Sequence, residues 1–162
     1  MKYGFGLIAG AAIAAVVGTA AISDNGPDTK AINAAVKARQ SQMTLYAFNI
    51  SLLGGMAKGD VEYDAAAASA AAANLAALSK LDQSRLWPQG SDNVALGDEM
   101  TEALPAIWAA DSDVGKKAMA LADAATAMEA AAGGGLDSLR GAIGPLGKSC
   151  GSCHETYRKA DD

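Results

Sequence analysis

From Thr29 onward, apolar residues recur at the three- and four-residue spacing of a helix that buries one face. Ile32, Val36, Met43, Leu45, Tyr46, Ile50, Leu53 and Met56 make a broad stripe. The spacing predicts a first helix from about Thr29 to Lys58, with Asp28 as N-cap and Gly59 as its stop, and with Gly54 and Gly55 weakening its last turn. A second helix follows Tyr63, capped by Asp64, and continues through an alanine run to about Leu81. Its alanines permit close approach to a neighbouring helix. Asp82 to Pro105 reads as one long irregular connection containing Trp87-Pro88, Gly90 and Gly97. A third helix from about Ala106 or Asp111 to Ala132 ends at Gly133-Gly134-Gly135, and a fourth covers about Leu136 to Lys159. Four helices with mostly short links imply an all-α fold, an antiparallel four-helix bundle.

Ahead of this pattern, residues 1–21 read as a signal peptide: Lys2 is the sole early charge, and Thr19, Ala20 and Ala21 offer a small-residue cleavage point. The uncharged run Tyr3 to Ile22 is also long enough to span a bilayer, so an uncleaved anchor tethering the protein through residues 3–22 stays open. Either version carries residues 31–162 across a bacterial-type inner membrane into the periplasm, with residues 22–30 as a linker.

Composition refines this picture in two ways. Of 162 residues 51% are hydrophobic and only 5% aromatic, so alanine supplies much of the apolar fraction and each side chain buries little area. A large flat cofactor would repair so thin a core. The formal net charge of -5 argues against nucleic-acid binding and suits basic or mixed-charge protein partners.

The chemistry concentrates in Cys150-Gly151-Ser152-Cys153-His154, which has the C-x-x-C-H form that attaches a c-type haem. On a helix the two thiols and the imidazole share one face, at i, i+3 and i+4. A thioredoxin-like redox pair would need a strand-to-helix setting that the flanking sequence lacks. A zinc site needs four ligands, and these are the only two cysteines and the only histidine of the chain. A strained disulfide between the two cysteines also stays open. The favoured reading is one haem c, covalent through Cys150 and Cys153, with His154 on the iron.

Antiparallel packing brings the amino-terminal half of the first helix level with His154. Met43 lies there, with Arg39 four residues earlier on the same face. A thioether opposite an imidazole raises haem potential and suits electron transfer, although methionine at helical spacing commonly fills gaps in a core. Trp87 is either a cover for a cofactor edge or a plug at the end of the core.

Arg39-Gln40-Ser41-Gln42-Met43, Met56-Ala57-Lys58-Gly59 with Tyr63-Asp64-Ala65, and Cys150 to His154 followed by Tyr157-Arg158 together resemble the cytochrome c prime family, the class II c-type cytochromes. The resemblance covers roughly Ala31 to Lys159 and leans towards the low-spin His/Met members. It implies that Cys150 and Cys153 hold the haem and that His154 is the proximal ligand. It further implies that Arg39 and Gln40 lie beside the propionates, that Arg158 lies beside the proximal face, and that Met43 takes the distal position. A homodimer through the first two helices is implied as well.

Two functions follow as expectations. The first is an electron-transfer cytochrome, not an enzyme, with His154 and Met43 on iron and redox proteins as partners. The alternative is a five-coordinate haem protein whose open sixth site takes nitric oxide or another small gas.

Overall fold

The structure, a computed structural model, describes Met1 and residues 28–160. The expected signal peptide or anchor, and most of the linker, lie outside the described residues. The elements run α1 (Thr29–Lys58), α2 (Ala65–Ser79), the short α3 (Asn93–Leu96), a 3-10 turn (Pro105–Trp108), α4 (Val114–Ala132) and α5 (Leu136–Tyr157). The four long helices make the expected bundle, with α5 packed on α4 and α1, and α2 packed between α1 and α4.

The predicted caps form. Asp28 accepts from the Lys30 amide and Asp64 from the Ala67 amide, each satisfying a donor that a helix start leaves open. Gly59 closes α1 in the left-handed conformation at φ 87°, where a side chain would strain the backbone.

Two boundaries differ from the pattern. α2 ends at Ser79 instead of Leu81, and the residues before α4 fold as a separate 3-10 turn, so α4 starts only at Val114. Pro105 explains the second difference, because it favours the first position of a new short helix and cannot extend an incoming one. The connection expected to be wholly irregular also contains α3, capped by Asp92 on the amides of Val94 and Ala95.

α1 buries Ile32, Ala35, Val36, Arg39, Gln42, Tyr46, Asn49, Leu53 and Met56, a seam that steps three or four residues at a time apart from the adjacent Ala35 and Val36. Met43 and Leu45, counted in the predicted stripe, fall outside it and are 38% and 49% exposed. The seam runs instead through three polar residues that have partners. Arg39 bonds the long loop, Gln42 Nε2 donates to the Leu78 carbonyl, and Asn49 is held by Asn74.

Alanine decides how α2 packs. Ala68 and Ala72 are fully buried, as are Ala125 and Ala132 of α4, so the two backbones can approach closely. Tyr63 ties this region to the next turn, donating to the Ala132 carbonyl and accepting from the Gly135 amide.

The continuous apolar core joins Tyr46 to Met56 of α1, the buried face of α2, Ala125 to Ala132 of α4, and Leu139 to Leu146 of α5. It contains no residue of α1 before Tyr46 and none of α5 after Leu146 among the described residues. The continuous cluster thus fills one end of the bundle, and at the other end, where α1 starts and α5 finishes, the buried Ile32, Ala35 and Val36 of α1 lie outside it.

Candidate haem site

Cys150, Cys153 and His154 lie on the last two turns of α5, one turn beyond the end of the apolar core at Leu146. Helical spacing puts all three on a common face, as the sequence requires. Both cysteines are free and half-buried, while the imidazole is accessible. Burial pushes both thiols above their ordinary value, with Lys117 partly countering this at Cys153. A dithiol raised in this way lacks the low-pKa character of a redox-active pair. No cluster of three or more metal-binding side chains occurs among the described residues, so the zinc reading gains no donors.

The surroundings of the motif come from three directions. Tyr46 of α1 is within electrostatic range of Cys150, and its hydroxyl is buried without a protein partner. Gln42 Oε1, one turn earlier, is likewise buried and unpaired. From α4 and the residue just before it, Lys117 and Asp113 act on Cys153 and pair with each other at 3.9 Å. From the loop, Glu102 faces Arg158, and both act on His154. Burial and then the Arg158 charge hold the His154 imidazole below its ordinary value, against the pull of Glu102. A neutral imidazole is the form that ligates a metal.

The turn that carries the motif is pinned at its far side. Tyr157 donates to Asp113 Oδ1 at 2.6 Å and accepts from the Asp113 amide at 2.8 Å and the Ser112 hydroxyl at 3.2 Å. Asp113 thus spends its carboxylate on α5 instead of capping its own helix. A cavity of about 360 Å³ beside His154 is lined by Glu155, Arg158, Lys159 and Ala160.

The residues fit a covalent haem. The cysteine spacing supplies the attachment, the continuous apolar core stops one turn short of it, and Tyr46, within range of Cys150, keeps a buried hydroxyl without a geometric hydrogen-bond partner.

The remaining expected site residues separate into two groups. Arg39 and Gln40 are committed to the long loop. Arg39 donates to Ser91 Oγ, the Ser91 carbonyl and Thr101 Oγ1 and stacks on Trp87 at 4.7 Å, while Gln40 donates to the Met100 carbonyl at 2.9 Å. Trp87 packs on Trp108 with ring centroids 6.4 Å apart, and the Trp108 indole donates to the Trp87 carbonyl. It therefore closes the loop against Arg39. Met43 stays on the outer flank of the α1 seam, and Arg158 lies beside His154 on the cavity wall.

Sequence reading missed Tyr46, Gln42, Asp113 and Glu102. Tyr46 was visible as part of the stripe, but nothing local marks Glu102 in its loop.

Comparison with known proteins agrees with this geometry. Residues 34–158 match the family model described as Cytochrome C'. Cytochrome c-554 of Cereibacter sphaeroides is 47% identical over 135 residues, covering 83% of this chain and 99% of that protein. A cytochrome c' of the same organism is 40% identical, covering 76% of this chain and 81% of the relative. The solved cytochrome c' from Rhodobacter sphaeroides superimposes with a TM-score of 0.76 at 38% identity, over 80% of this chain and 98% of that one. With the aliphatic core ending where the paired cysteines begin, the chain belongs to the cytochrome c' family of class II cytochromes, and it carries the family's single covalent c-type haem.

Proposed function

We propose that this protein is a cytochrome c' whose iron is held by His154 and whose opposite face stays open to a small diatomic gas, with Met43 standing beside that face as a cover. The observation that carries the reading is the likeness to cytochromes c', with residues 34–158 matching the family model and the solved Rhodobacter sphaeroides protein superimposing over 80% of this chain. Relatives point the same way: a ferrous variant of Alcaligenes xylosoxidans cytochrome c prime, 36% identical, was solved with bound NO, and another, 35% identical, with carbon monoxide. Cys150 and Cys153 supply the thioether attachments. On this reading the protein acts by binding and by one-electron change at iron.

One observation favours a second reading, an electron carrier with His154 and Met43 both on iron. Tyr46 lies within range of Cys150, so the α1 turn bearing Met43 is level with the haem end of α5, and a thioether on three rotatable bonds can swing. Optical spectra of purified ferric and ferrous protein separate the two. The first reading expects a high-spin spectrum and carbon monoxide binding by the untouched ferrous protein. A methionine-to-iron charge-transfer band with no carbon monoxide binding would establish the second instead.

A homodimer through α1 and α2 extends the proposal. Leu45 and Phe48 are exposed on α1, Phe48 by 74%, and Leu81 is exposed just past the end of α2. A related cytochrome c', 30% identical with a TM-score of 0.72, is described as showing ligand-controlled dimer dissociation. Phe48→Glu should yield a monomer by sedimentation. Redox proteins of basic or mixed charge and a periplasmic location complete the reading. No helix among the described residues is long and apolar enough to cross a membrane.

A further inference from the structure

The end of the long loop grips the chain on both sides of the haem end. Towards α1, the Met100 carbonyl accepts from Gln40 and Thr101 Oγ1 from Arg39. Towards α5, the Glu102 carbonyl accepts from the Lys159 amide at 2.8 Å, and the Leu104 amide donates to the Tyr157 carbonyl at 3.0 Å. Ala103 and Arg158 form a single antiparallel bridge between these contacts. Within this clamp, Glu102 Oε2 lies 2.8 Å from Arg158 Nε. Arg158 follows His154 by four residues, caps α5 in an extended conformation, and lines the cavity beside the imidazole.

We propose that Glu102 is a positioning residue for the proximal side of the haem: it fixes the Arg158 guanidinium beside His154 and balances its charge. The inference rests on His154 being the iron's proximal ligand. A charge held near iron changes the balance between its ferric and ferrous forms, since ferric iron carries one more positive charge. Arg158 alone disfavours the ferric form and Glu102 alone favours it. Together they nearly cancel. Both groups are partly exposed, so the effect is moderate and weakens with added salt.

The test uses the holoprotein and measures the midpoint potential of wild type, Glu102→Gln, Arg158→Gln and the double variant, alongside thermal unfolding. The expected result is a rise for Glu102→Gln, a fall for Arg158→Gln and a double variant close to wild type, each single change amounting to a few-fold in the redox equilibrium. Potentials that stay at the wild-type value while both variants lose thermal stability would overturn the proposal, as would shifts of the same sign. A wild-type spectrum without histidine ligation would instead defeat the reading of His154, and it is recorded independently of the variants.

Discussion

Arg39 Nη2 donates a 2.7 Å hydrogen bond to Thr101 Oγ1, across 62 residues of chain, and both partners are buried. With Ser91 accepting from both guanidinium nitrogens and Trp87 stacked on its face, Arg39 fastens the long loop to α1. The resemblance implied a propionate partner at this position. In the fold the guanidinium also holds loop oxygens, so Arg39 has a structural effect beside any at the haem.

Arg39→Ala should therefore destabilise the holoprotein by about 2–4 kcal/mol, the cost of leaving several buried acceptors without their charged donor. Arg39→Lys should recover little of this, since an ammonium lacks the planar fork that reaches Ser91 and Thr101 together and the flat face that stacks on Trp87. Thermal unfolding followed at the haem band checks both. A variant as stable as wild type would mean that the loop holds without this anchor.

Met43→Ala tests the distal face. With the sixth position open, the ferric spectrum should stay high-spin and carbon monoxide should associate faster with the ferrous protein, because a flexible cover has been trimmed. Conversion from low-spin to high-spin on the same substitution would show that the thioether had been on the iron.

Tyr46 should titrate late. Burial pushes its hydroxyl up to about 12, with the neighbouring Gln42 side chain countering only in part. Between its unfolded value near 10 and this folded value, the native state keeps a proton that the unfolded chain has lost. Stability tied to Tyr46 is then complete below about pH 10 and declines as pH rises, by roughly 2 kcal/mol in all. Denaturant unfolding at stepped alkaline pH should show the decline, and Tyr46→Phe should flatten it without lowering stability at neutral pH.

Ala72 is fully buried where α2 faces its neighbours. Ala72→Leu adds volume to an interface whose close approach depends on small residues, and should cost about 1–3 kcal/mol by overpacking. Urea unfolding measures the loss. A neutral result would mean that the helices separate freely at that level, contrary to the packing seen.

Much of the architecture was legible because short-range rules govern it. Asp28, Asp64 and Gly59 act on amides or carbonyls within a few residues, so their capping roles appear in the sequence as they do in the fold. The cysteine spacing is equally local, since i, i+3 and i+4 share a helical face whatever surrounds them. The seam of α1 was less readable. Apolar residues at helical spacing pointed to Met43 and Leu45, but Arg39, Gln42 and Asn49 take buried places there because loop and α2 atoms satisfy them.

The sequence by itself determined the four long helices, the capped ends of α1 and the start of α2, and the haem attachment, because capping, periodicity and motif spacing depend on residues within a turn or two of each other. Tertiary structure alone decided that Arg39 grips the loop, that Tyr157 claims the Asp113 carboxylate and that Glu102 meets Arg158. Each of these joins groups more than 40 residues apart. Their energy depends on desolvation and geometry that exist only once the helices have packed.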